Sequence, residues 1–87
     1  MKNFETLFAE LQAKAAAGNP DSGTVKELQK GTHFICKKIV EEAAEVMLAA
    51  EAQTKEDAAL EISQLLYHLQ VLMIDKGLSL EDVYRKL

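Results

Sequence analysis

Residues 31–76 read GTHFICKKIVEEAAEVMLAAEAQTKEDAALEISQLLYHLQVLMIDK, and the fold turns on this stretch. Apolar residues recur in it at steps of three and four, the period of an amphipathic helix, with no strand alternation between. The pattern predicts one long helix from Thr32 to Gln53 and a second from Thr54 to Lys76. Thr54 and Asp57 have capping-box spacing, with Asp in place of the usual Glu. Lys76 in the last turn and Gly77 after it form a stop signal. The link at Gln53 and Thr54 is so short that the two helices must run antiparallel. At 1.5 Å per residue each spans about 30 Å.

Outward from this hairpin the elements are shorter. Phe4, Leu7, Phe8, Leu11 and Ala15 predict a helix over Phe4 to Ala17, ended by Gly18-Asn19-Pro20. The polar loop Asp21-Ser22-Gly23-Thr24 leads into a short helical piece over Val25 to Lys30. Ser79 and Asp82 repeat the capping spacing before a terminal helix, Leu80 to Leu87. The fold class is therefore all-α: an antiparallel long-helix hairpin with short flanking helices, in one domain covering 1–87. A chain of 87 residues buries little surface alone, yet 48% of this one is hydrophobic. That combination predicts a homodimer in which two hairpins form a four-helix-bundle core.

The net charge of −4 argues against an electrostatic grip on a nucleic-acid polymer. The N-terminal MKNFETLFAEL has no apolar signal region, and no run is long enough to cross a membrane. The single cysteine, Cys36, excludes an internal disulfide and fits a reducing cytoplasm. Cys36, Met47 and Met73 read as core.

On a helical wheel, Ile35, Cys36, Ile39, Val40, Ala43, Val46, Met47 and Ala50 cover one side of the first long helix. Lys38, Glu42 and Glu45 border that apolar arc, and Glu41 lies further toward solvent. On the second helix Glu61 borders the core, with Asp57, Gln64 and His68 on its other flank. Folding the hairpin about its turn places Glu45 level with Ile62, beside Glu61, and Glu42 level with Leu65, beside Gln64. Three acids and an amide thus reach one level. Carboxylates gathered at a core border repel one another, and a divalent cation with hard-oxygen preference, Mg²⁺ or Mn²⁺, relieves that repulsion. Solvated acids on a charged helix face are the simpler explanation, and spacing alone does not separate the two.

The segments GTHFICKKIVEEAAEVMLAAE and EISQLLYHLQVLM, with the upstream DSGTVKELQKG and the closing GLSLEDVYRKL, resemble the phosphoribosyl-ATP pyrophosphohydrolase family. The resemblance runs over about four-fifths of the chain, so its joint specificity is high. The family is similar to the broader all-α nucleotide pyrophosphohydrolases, which carry Glu-x-x-Glu on one helix and Glu-x-x-Asp on the next. Glu42 and Glu45 match the first motif and Glu61 opens the second, while Gln64 stands where the aspartate is expected. An amide oxygen still ligates a hard cation, but without charge, so weaker affinity or compensation by Glu41 or Asp57 is expected.

The resemblance implies hydrolysis of the α–β phosphoanhydride of phosphoribosyl-ATP, giving phosphoribosyl-AMP and pyrophosphate in the second step of histidine biosynthesis. It assigns Glu42, Glu45, Glu61 and Gln64 to Mg²⁺, and leaves open which of Glu41, Glu42, Glu45 and Glu61 acts on the water. Lys37 and Lys38 are placed for phosphate, with an i, i+4 pair of Lys38 and Glu42 as the alternative for the latter. Lys30 and His33 flank Gly31 and are placed for the phosphoribosyl end. Ser22 and Thr24 either bond phosphate or ribose, or cap the short helix. His68 is expected as a hydrogen-bonded interfacial histidine, and Tyr67 as a packed ring with a bonded hydroxyl. Two readings compete: a related enzyme acting on canonical or damaged nucleoside triphosphates, and a helical dimerisation module without catalysis.

Overall fold

The computed structural model describes all 87 residues, Met1–Leu87. Five helices follow in order: α1 (Phe4–Ala17), α2 (Gly23–Lys30), α3 (Thr32–Ala52), α4 (Lys55–Asp75) and α5 (Leu80–Tyr84). The long pair α3 and α4 forms the hairpin, turned at Gln53 and Thr54.

Local chemistry sets the ends. Thr54 Oγ1 accepts from the Asp57 amide at 3.1 Å, and the Thr54 amide donates back to Asp57 Oδ2 at 3.3 Å. The Asp variant of the capping box therefore works as the Glu form does. Ser79 and Asp82 make the same exchange for α5, at 3.0 and 2.9 Å. A third box, Asn3 with Thr6, starts α1, and the sequence reading passed over it because Thr stands where Glu or Gln is usual. At the far end of α4 the Leu78 amide donates to the Met73 carbonyl and the Gly77 amide to that of Ile74. This six-to-one, five-to-two pattern needs a left-handed residue, and Gly77 supplies it at φ 69°. The terminal helix is shorter than expected, ending at Tyr84 in a turn over the last residues.

The core lies at the open end of the hairpin. Leu11, Ile35 and Val71 are fully buried there, joining α1, α3 and α4, with Leu28 of α2 and Tyr67 of α4 packed against them. Polar bonds pin the same end. Thr32 Oγ1 donates to Asp75 Oδ2 at 2.5 Å across the hairpin, and Gln70 Nε2 donates to the Phe4 carbonyl at 2.9 Å.

Toward the turn the apolar surface is bare. Val40 is 69% exposed, Met47 60% and Leu60 53%, and Leu48, Ile62 and Leu66 are exposed as well. Met73 is buried as expected, but Met47 is not core, and Cys36 is only half-buried. Of the face the wheel drew on α3, Ile35, Cys36, Ile39 and Val46 are at least half-buried, Val40, Ala43, Met47 and Ala50 are exposed, and the buried Ala49 lies outside it. What the wheel could not supply is a cover, because α1 and α2 pack at the other end of the hairpin and nothing in the chain reaches Met47.

Candidate functional site

On α3, Phe34, Lys38 and Glu42 stand at four-residue steps, the spacing of one helix ridge, and all three are half-buried. Glu41 and Glu45, off that ridge or further along it, are exposed. Across the hairpin Glu61 of α4 is half-buried too. It faces Glu42: burial raises the Glu61 carboxyl above its ordinary value, and the neighbouring Glu42 carboxyl raises it further, with Asp57 adding charge. Such a shift follows when two carboxyls share one place. Glu42 Oε2 is itself buried without a hydrogen-bond partner. A buried, unpartnered carboxylate oxygen is costly, and a second carboxyl beside it compounds the cost.

The structure thus brings two of the three acids together. Glu45 and Gln64 remain exposed, and Asp57 is engaged in the cap of α4. No group of three His, Cys, Asp or Glu side chains is gathered closely enough to enclose a cation. The donor set is hard oxygen throughout, which suits Mg²⁺. That ion takes one or two protein carboxylates and completes its shell with water and phosphate.

The cations lie one turn and more toward the start of α3. Lys38 Nζ is 3.4 Å from Glu41 Oε2, so the pair with Glu42 weighed as the alternative to a phosphate role is not formed. Lys30, the last residue of α2, has its Nζ 4.4 Å from the centre of the Phe34 ring, and Lys38 Nζ is 5.6 Å from it. His33, Lys37 and Glu41 open, with Cys36 and Val40, onto a separate surface cleft of about 310 Å³.

Ser22 and Thr24 separate in role. Ser22 Oγ accepts from the Val25 amide at 3.3 Å, capping α2, which consequently begins at Gly23 rather than Val25. Thr24 is buried, and its hydroxyl shares a 2.7 Å hydrogen bond with that of Tyr67. Both residues line a cleft of about 500 Å³ with Lys14, Asn19, Gly23 and Tyr67. One turn along α2 from Thr24, Glu27 is buried and meets His68 next to Tyr67, Nδ1 to Oε2 at 2.8 Å. Glu27 and the Phe34 ring escaped the sequence reading. Their partners lie on other elements, and a spacing rule sees only one element at a time.

The whole chain, residues 1–87, matches the family described as phosphoribosyl-ATP pyrophosphohydrolase. Relatives named phosphoribosyl-ATP pyrophosphatase occur in Bifidobacterium animalis subsp. lactis and Bifidobacterium adolescentis. Each is 61% identical to this chain over 87 residues, covering 100% of both sequences.

Proposed function

This chain belongs to the phosphoribosyl-ATP pyrophosphohydrolase family, and on that premise we propose that it hydrolyses the α–β phosphoanhydride of phosphoribosyl-ATP to phosphoribosyl-AMP and pyrophosphate, the second step of histidine biosynthesis. The observation that carries the assignment of the reacting centre is the meeting of Glu42 and Glu61, with one Glu42 oxygen buried and unpartnered. That arrangement is unfavourable for the protein alone and becomes favourable when a divalent cation is shared between the two groups.

Glu42 and Glu61 would hold Mg²⁺, or Mn²⁺, with Glu45 and Gln64 completing the set. The ion, when bound, neutralises charge on the phosphate oxygens. The chain's own groups do the rest. Lys37 and Lys38 attract the phosphate chain as point charges, and Lys30, expected at the phosphoribosyl end, joins them because it shares the Phe34 ring with Lys38. Ser22, which lines a cleft with Thr24, and His33 beside Gly31 serve the phosphoribosyl end. Glu41, exposed beside Lys38, stands with the metal-site acids as a group to orient the attacking water.

The bare apolar row around Met47, Leu60 and Ile62 supports a homodimer in which two hairpins pair as a four-helix bundle. No helix is long and apolar enough to cross a membrane. A free, half-buried cysteine is consistent with work in the cytoplasm.

The decisive assay is pyrophosphate release from phosphoribosyl-ATP with and without Mg²⁺. Magnesium-dependent release is expected. Preference for a common nucleoside triphosphate over phosphoribosyl-ATP would overturn the substrate, and no release from either would leave a dimerisation module.

A further inference from the structure

Two lysines share one aromatic ring. Lys30 Nζ lies 4.4 Å and Lys38 Nζ 5.6 Å from the centre of Phe34, both inside the range at which a ring face attracts a cation. The lysines come from different helices. Lys30 ends α2, and the chain then reverses at Gly31, whose φ of 94° is open to glycine and strained for other residues. That reversal returns the last residue of α2 over the first turn of α3. The result is two like charges on one side chain, which repel each other unless an anion lies between them. Lys30 has no carboxylate within ion-pair distance. The one partner of Lys38 is Glu41 at 3.4 Å, longer than a tight charge-assisted hydrogen bond.

The position of this pair is as telling as its charge. Phe34 and Lys38 stand on the α3 ridge that continues to Glu42, and one turn of helix is about 5.4 Å. A cationic end and an acidic end therefore follow one another along a half-buried ridge, one helical turn apart. Resting on the function proposed above, we propose that Phe34 is a positioning residue: its ring holds the Lys30 and Lys38 ammonium groups as a two-point seat for the pyrophosphate that leaves. The seat takes a diphosphate without a metal. It binds through two ammonium groups, and Phe34 fixes where they stand without touching the reacting atoms.

The test uses inorganic pyrophosphate and the full chain. Its binding is followed by calorimetry with metal chelated, and its inhibition of phosphoribosyl-ATP hydrolysis is measured with Mg²⁺ present. Phe34→Leu keeps the apolar bulk and removes the ring face. It should weaken pyrophosphate binding and raise KM by roughly three- to tenfold while kcat holds, and Phe34→Tyr should restore both. In a Lys30→Gln, Lys38→Gln background Phe34→Leu should add nothing. Unchanged pyrophosphate binding in Phe34→Leu overturns the seat, as does an equal loss in the background lacking both lysines. A variant that melts earlier and loses kcat while binding pyrophosphate normally makes Phe34 a packing residue only. A wild-type protein that binds metal-free pyrophosphate yet releases none from phosphoribosyl-ATP sinks the assigned reaction and leaves the seat standing. One that releases pyrophosphate but does not bind it without metal does the reverse.

Discussion

Nδ1 of His68 lies 2.8 Å from Oε2 of Glu27, joining α4 to α2 at a place where neither side chain is more than slightly exposed. An ionised carboxylate only accepts, so the imidazole N–H donates. Beside this bond the Thr24 and Tyr67 hydroxyls make theirs at 2.7 Å. Positions 24 and 27, one turn apart on α2, thus meet the adjacent positions 67 and 68 on α4, and the two bonds together set how α2 sits on the hairpin.

Removing the imidazole should therefore cost more than its exposure suggests. His68→Ala strands a buried carboxylate and is expected to destabilise the fold by about 1–3 kcal/mol, read from urea denaturation. Glu27→Gln, which retains an acceptor oxygen, should cost less. Equal losses in the two variants would mean that packing, and not the hydrogen bond, is what His68 contributes.

The hairpin was legible because its signals are local. Apolar periodicity, Thr54 with Asp57, and Gly77 after Lys76 all act within a few residues, and each appears in the structure. That acids of the two helices approach one level was legible at one further remove, because a tight turn converts distance from the turn into height along the hairpin. The same projection put Glu42 level with Leu65, beside Gln64, and set Glu45 beside Glu61, whereas the acid that acts on Glu61 is Glu42. Glu27 with His68 lies beyond such reasoning. The angle at which α2 docks depends on the Pro20 loop and the Gly31 reversal together, and neither carries a register. The burial of Met47 was misread for a different reason, since a wheel shows which face is apolar and not whether the same chain covers it.

That uncovered face carries its own prediction. Sedimentation at micromolar concentration should show a dimer, and Met47→Lys should shift it toward monomer by placing a charge in the apolar row. A stable wild-type monomer would remove the four-helix bundle. A Met47→Lys protein that remains dimeric would move the interface elsewhere.

The glycines divide by backbone. Gly77, at φ 69°, closes α4, and a Cβ there meets no neighbouring atom, so the strain of Gly77→Ala is conformational alone. The expected loss is about 1–2 kcal/mol. Gly23 opens α2 at an ordinary φ with free space around it, and Gly23→Ala should be neutral or stabilise by up to about 1 kcal/mol. Thermal melts of the two variants separate these outcomes, and a larger loss at Gly23 would contradict both assignments.

Activity should depend on the α3 acids without the fold depending on them. The double variant Glu42→Gln, Glu45→Gln is expected to keep its helical circular dichroism and lose activity by orders of magnitude, about 100-fold or more. Retained pyrophosphate release would remove these residues from the metal site. Loss of helix content would mean that the acids stabilise the hairpin directly.

Glu61 gives the dependence on pH, and its sign is opposite to that of the surface acids. Its carboxyl is raised above the ordinary value, first by burial and then by Glu42 and Asp57, so the folded chain holds this proton more tightly than the unfolded chain does. Its contribution is therefore most favourable below the usual carboxylate range and diminishes as pH rises through the raised value. Glu5, lowered by the Tyr84 hydroxyl, Glu10, lowered by Lys2, and Asp82, lowered by Ser79, act the other way and lose their contribution as pH falls. The difference between wild type and Glu61→Gln isolates the first effect from the rest. With metal chelated, Glu61→Gln should melt above wild type at neutral pH, and the gap should close as pH drops below the usual glutamate value. Added Mg²⁺ should reverse the order at neutral pH, because the ion turns the repulsion of Glu42 and Glu61 into shared attraction in wild type. A gap that ignores both pH and Mg²⁺ would show that these two carboxyls neither repel one another in solution nor share a cation.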